Sequence, residues 1–160
     1  MKIVNSIKGF SYIELVVSVT IVALLATAAT PYLEKMIQRE KEADLRRNLR
    51  EVRSAIDSYK NAYDKGLLIN TIGASGYPPN LDVLVTGLPN EKDPNKTKIR
   101  FLRRIPPDPM YSGEKVEASA TWGKRSYDSD AENPSEGVYV FDIYSLSKQE
   151  GLNGIPYDQW

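Results

Sequence analysis

The chain reads as an α+β protein: one long N-terminal helix, first apolar and then amphipathic, packed on a small antiparallel sheet with an irregular C-terminal loop. Three observations predict it. Residues 15–30 carry no charge and contain Leu15, Val16, Val17, Val19, Ile21, Val22, Leu24 and Leu25. Leu45, Leu49, Val52, Ile56, Tyr59 and Tyr63 then recur at alternating steps of four and three, which draws one stripe down a helix. Finally, residues 121–127 and 137–145 look like strands on either side of an acidic loop, 128–136.

The first part of the helix is built for lipid. Between residues 10 and 33 the single charged side chain is Glu14. A membrane-spanning helix needs ~20 mostly apolar residues, so this stretch suffices. A carboxylate costs ~2.5–3.5 kcal/mol at the bilayer centre and less near the surface, so one placed here is expected to have a partner. Lys2 and Lys8 precede the span, which puts residues 1–9 on the cytoplasmic side and the bulk of the chain outside. Ala26, Thr27, Ala28 and Ala29 offer a signal-type cleavage site. The helical pattern continues beyond them, which favours an anchor that stays attached. Pro31 has no N–H to donate and crowds the carbonyl of Thr27, so a kink or a stretch that can unwind is expected there.

The second part of the helix is polar and rich in helix formers. Glu42 with Arg46, and Arg53 with Asp57, form pairs of opposite charge one turn apart. Gln38, Arg39, Glu40, Lys41 and Glu42 read as a solvated face or as a contact between neighbouring subunits. The apolar stripe fits a helix packed on its own domain or a coiled-coil interface. Its faltering over residues 38–42 favours the first. Gly66 is the expected stop.

Beyond it, Tyr77-Pro78-Pro79-Asn80 opens a short helix, 81–86, with Asn80 as N-cap and Gly87 as its end. Leu81, Leu84 and Val85 face the core. Residues 88–98 read as a polar loop. Ile99, Phe101, Leu102 and Ile105 form a buried piece of open type, ended by Pro106, Pro107 and Pro109. In the second strand Tyr139, Phe141 and Ile143 share the buried face, and Val138, Val140, Asp142 and Tyr144 the other. A hairpin alone is marginal in water, so this one is expected to lie on the helix stripe.

Composition narrows the function. With 160 residues the chain holds one modest domain plus an anchor. Lys+Arg and Asp+Glu balance at 21 each, and no basic field points to nucleic acid. There is no cysteine for a disulfide or for thiol chemistry, and no histidine, the commonest general base and metal ligand. No phosphate-cradling glycine loop, metal-ligand spacing or nucleophile elbow occurs. A structural subunit is expected, not an enzyme.

Lys8-Gly9-Phe10-Ser11-Tyr12-Ile13-Glu14-Leu15 resembles the processing motif of type IV prepilins and of the pseudopilins of type II secretion. The resemblance implies a cut between Gly9 and Phe10 by a membrane-embedded peptidase, N-methylation of Phe10, use of Glu14 in assembly, and a weakened helix at Pro31. Opposite charges ~4 Å apart attract by ~4 kcal/mol at an effective dielectric of about 20, enough to offset burial of Glu14 against a terminal amine. The bland alternative is a Glu14 that snorkels to headgroups.

Further along, Ile105-Pro106-Pro107-Asp108-Pro109, Trp122-Gly123 and Val140-Phe141-Asp142-Ile143-Tyr144-Ser145 are similar to segments of the major pseudopilin. Many type IV pilins close their C-terminal region with a disulfide, which this chain cannot form. The resemblance therefore implies a leader (1–9), a transmembrane assembly helix (10–33), an amphipathic periplasmic helix (34–65) and a globular pseudopilin domain (66–160). It also implies a single-pass inner-membrane protein, with its C-terminal domain in the periplasm, that polymerises with itself into a pseudopilus driving export of folded proteins. Minor pseudopilins, the prepilin peptidase and an inner-membrane platform would be its partners.

Two alternatives differ in class. One is a type IV pilus subunit for adhesion, motility or DNA uptake; the other is an anchored periplasmic enzyme or binding module that never assembles. The family also implies calcium in the loop after the last strand. Here that loop offers Glu150 and Asp158 as acids and places Lys148 among them, whereas calcium takes six to eight oxygens with several carboxylates. No cofactor is expected. Leu152, Ile155, Tyr157 and Trp160 are expected to hold the loop by apolar packing. Asp128, Asp130 and Glu132 are spaced like the start of a calcium loop but lack its turn glycine, and read as a solvated hairpin loop.

Overall fold

The structure is a computed structural model that describes residues 9–69, 74–130 and 132–160. It consists of one long helix, α1 (Tyr12–Asp64), followed by small elements: α2 (Val83–Thr86), β1 (Leu88–Pro89), β2 (Lys98–Ile99), β3 (Trp122–Arg125) and β4 (Asp142–Ser145). Short 3-10 turns cover Ala118–Thr121 and Tyr157–Gln159. The strands form two separate antiparallel ribbons, β1 with β2 and β3 with β4. In the second, Trp122 stands opposite Ser145 and Arg125 opposite Asp142. The chain divides into two compact units, one ending at Arg39 and the other comprising Glu40–Trp160.

In the outer unit the stripe on α1 is the floor of the core. Leu45, Leu49, Val52, Ile56 and Tyr59 are buried, together with Leu81, Leu84, Leu102, Trp122, Val140, Ile143 and Tyr157. The stripe packs on the chain's own domain. Each such side chain contributes about 1.5–3 kcal/mol on burial. Gly66 ends α1 as expected. Its φ is 66°, a conformation that costs a residue with a Cβ, and it forms a paired cap: Gly66 N–H donates to Tyr63 O (2.8 Å) and Leu67 N–H to Ala62 O (2.9 Å). Asn80 caps as expected too, its Oδ1 accepting from Val83 N–H at 3.0 Å. The helix it opens is shorter than 81–86.

Several expectations are corrected. Glu42 is not on a solvated face; it is buried at 6% exposure, accepting from Leu152 N–H (2.7 Å) and the Tyr157 hydroxyl (3.0 Å). Arg53 turns away from Asp57 to the C-terminal elements, where it donates to Asp142 Oδ1 (2.8 Å), Ile143 O (3.1 Å) and Trp160 O (2.8 Å). The Arg46 guanidinium lies 4.4 Å above the Trp160 ring. Residues 88–98 are not all loop, because their two ends pair as β1 and the start of β2.

Only residues 142–145 of the second expected strand are strand. Upstream, Val140 N–H donates to Pro78 O and Phe141 N–H to Arg125 O. The alternation breaks there: Val140 is buried, while Tyr139 and Phe141 are half-buried. Phe141 instead meets the rings of Tyr77 and Tyr127 edge-on, at 5.1 and 5.2 Å between centroids. In the C-terminal loop Tyr157 is buried and packs against Trp160, but Leu152 and Ile155 are exposed, so apolar packing holds only part of it.

Candidate membrane and assembly segment

The first unit carries the apolar part of α1. Its most apolar window has a mean hydropathy of 2.1 and is 0% buried. Leu15, Val16, Val17, Val19, Ile21, Val22, Leu24 and Leu25 are all exposed. One helix near the N-terminus is thus long and apolar enough to cross a membrane.

The polar groups along this helix are handled as lipid requires. Ser18 Oγ donates to Glu14 O (2.7 Å), Thr20 Oγ1 to Val16 O (2.8 Å), Thr27 Oγ1 to Leu24 O (2.8 Å) and Thr30 Oγ1 to Ala26 O (3.4 Å). Each hydroxyl spends its proton on a carbonyl one turn back, so none needs water. α1 runs through Pro31 without a break. Thr27 and Thr30 both make their back-bonds in the turns just before Pro31.

Glu14 differs from the hydroxyls. It lies in the first turn of α1, exposed, with no hydrogen bond or ion pair to its side chain among the described residues. An acid at a helix N-terminus gains from the positive end of the dipole, but only by about 0.3–1 kcal/mol at an exposed site. That is less than the cost of placing a carboxylate deep in hydrocarbon.

Gly9 and Phe10 stand just ahead of α1, both exposed, Phe10 at 79%. A Cβ at Gly9 would meet nothing within 4 Å, and its φ is not in the left-handed region. The fold therefore gives no steric or conformational reason for a glycine at this position. Residues 1–8, the rest of the expected leader, lie outside the described residues. Gly9, Phe10 and Glu14 fall within about two helical turns of one another; Pro31 is ~25 Å further along the axis.

In the outer unit the segments singled out by resemblance converge. Trp122 Nε1–H donates to Pro106 O (2.8 Å), and Asp108 N–H donates to Thr121 Oγ1 (3.0 Å). The Asp108 carboxylate is buried and accepts from Ser145 Oγ (2.6 Å) and Met110 N–H (2.8 Å). Burial pushes its pKa up, and the hydrogen bonds from Ser145, Met110 and Leu146 pull partly against that. The node stitches residues 105–109 to β3 and β4.

Glu150 is exposed, the Gln149 and Ile155 carbonyls accept from Tyr157 and Gly151 N–H, and no group of three or more acidic, histidine or cysteine side chains is arranged to hold a metal among the described residues. Asp158 Oδ1 is buried without a protein partner, but its neighbours at a cavity of about 130 Å³ include the cations Arg53 and Arg125.

Compared with protein-family models, with curated proteins and with solved structures, the chain matches none of them.

Proposed function

We propose that this chain is a pilin-like structural subunit of a type II secretion pseudopilus. In this reading residues 1–9 are a leader, prepilin peptidase cuts between Gly9 and Phe10, and Phe10 becomes the N-methylated start. The mature chain is anchored in the inner membrane by α1 with its outer unit in the periplasm. It polymerises with itself and with minor pseudopilins on an inner-membrane platform, and the growing filament moves folded proteins outward. The chain supplies contacts and no catalysis.

One observation supports the reading: an exposed apolar helix begins one turn after a glycine for which the described residues give no steric reason, and it holds one carboxylate without a partner among the described residues. A simple anchor needs neither residue. A peptidase that cuts after Gly9 needs the first, and a helix that engages a second copy in lipid uses the second. The positive amine left by cleavage is the natural mate for Glu14, in its own chain or its neighbour's, and sets the axial register between helices.

The test is Glu14→Leu in cells that overproduce the chain. The variant is expected to be processed and to enter the membrane, yet to give no filaments. Filaments or cross-linked oligomers at normal yield would overturn the reading in favour of an anchored monomer. Long sheared extracellular fibres of the wild-type chain would assign it to a type IV pilus instead.

A further inference from the structure

Near its end the chain folds into a tight turn, residues 151–155, closed by Gly151 N–H to Ile155 O (3.0 Å) and Gly154 N–H to Gly151 O (2.9 Å). Asn153 and Gly154 are exposed at its tip. Nowhere else in the sequence does glycine follow asparagine. A Cβ at Gly154 would meet nothing within 4 Å, so no side chain screens the peptide after Asn153. The Asn153 side chain bends back over that peptide, its Oδ1 accepting from Ile155 N–H at 3.1 Å. Gly151 makes room for it, because a Cβ there would come within 2.8 Å of Asn153 Oδ1. Asn153 also lines a groove of about 360 Å³ with Arg46 and Arg50, neither of which has an acidic partner among the described residues.

We infer that Asn153 is a site of spontaneous deamidation, with the Gly154 nitrogen as nucleophile and the Ile155 N–H as oxyanion donor. The Gly154 N–H first leaves Gly151 O. Hydroxide takes its proton, and the nitrogen attacks Asn153 Cγ. Negative charge develops on Oδ1, where a donor is already aimed; a preorganised donor stabilises such a charge without rearranging. The Cγ–Nδ2 bond breaks, Nδ2 takes a proton from water and leaves as ammonia, and a cyclic succinimide remains. Water then opens the ring. Cleavage of the new N–Cγ bond leaves aspartate in a normal chain. Cleavage between the Gly154 nitrogen and the main-chain carbon of Asn153 leaves isoaspartate, with the chain routed through the side chain. Either product exchanges a neutral amide for a carboxylate in the groove of Arg46 and Arg50, which guanidinium groups hold by charge-assisted hydrogen bonds.

The test follows the full chain, extracted in detergent, in mildly alkaline buffer with and without urea that unfolds the outer unit. Peptide mass spectrometry with isoaspartyl detection reads each asparagine. Asn153 is expected to convert to aspartate and isoaspartate about tenfold or more faster than Asn80 and Asn95, which are also exposed. The folded chain is expected to convert at least as fast as the chain in urea, because the aimed donor exists only in the fold. Slower conversion in the fold means that the Gly154–Gly151 bond shields the site, and overturns the assignment. Conversion of Asn80 or Asn95 while Asn153 stays intact overturns it too. Gly154→Ala is read in urea, where the strain of alanine at φ 74° no longer matters, and should slow conversion about tenfold or more. An unchanged rate would overturn the role of the Gly154 nitrogen.

Discussion

Glu42 shows how far a single carboxylate can be from its apparent role. In sequence it sits among charged neighbours and reads as solvent-facing. In the fold it is the point to which the C-terminal loop is tied, through Leu152 N–H and the Tyr157 hydroxyl. Its partners lie 110 and 115 residues away, so no local pattern could reveal them. Hydrogen bonds to a buried charge contribute about 1.5–3 kcal/mol each. Glu42→Ala is therefore expected to lower stability by several kcal/mol in urea unfolding and to speed hydrogen exchange at the Leu152 amide; an unchanged exchange rate there would refute the tie. Asp108 makes the opposite use of burial. Its pKa is raised, so the folded state holds this proton more tightly than the unfolded chain. The stability this group contributes is full below the unfolded-state pKa and is lost as pH rises through the raised folded value. Asp108→Asn removes that dependence. Denaturation midpoints between about pH 3 and 7 should fall with rising pH more for the wild type than for the variant, and parallel profiles would contradict the assignment.

At the scale of elements, what repeats was legible and what is tied at long range was not. The stripe on α1 declared itself because six positions keep one helical phase over residues 45–63, and five of them are buried. The Gly66 and Asn80 caps were legible for the same local reason. The second strand was drawn too long because alternation was read through Val140. Val140 N–H is taken by Pro78 O, and that bond turns the chain before the ladder begins. The pairing of β1 with β2 was missed because two-residue strands have no period to detect. The β3–β4 register was within reach, since Trp122-Gly123 puts a glycine beside a bulky residue. Gly123 stands opposite Tyr144, and a Cβ there would come within 2.4 Å of the Tyr144 ring. Gly123→Ala is thus expected to cost about 1–3 kcal/mol by overpacking. Adding Tyr144→Ala should recover part of that loss in the same thermal melt, and a loss that the second substitution leaves untouched would place the strain elsewhere.

For the whole molecule, the division of labour follows from where the charges are. Most of them lie from Glu40 on, in the unit that buries its own stripe; residues 10–33 hold one charged side chain, Glu14, and the most apolar window of the helix is 0% buried. The candidate site was legible in sequence because it is a run of consecutive residues, and such motifs survive without any knowledge of tertiary contacts. The fold adds two things the sequence could not supply. Among the described residues nothing gives a steric reason for glycine at position 9, and the hydroxyls of Ser18, Thr20, Thr27 and Thr30 are bonded within the helix while the Glu14 carboxylate has no partner. Both bear on one event, the cut that turns Phe10 into a charged terminus. Mass spectrometry of the N-terminus of protein extracted from membranes reads that event directly. The account predicts a chain that starts at Phe10 and carries one methyl group on its amine. A product that keeps Met1, or one trimmed past Ala29 and free of the membrane, would contradict it.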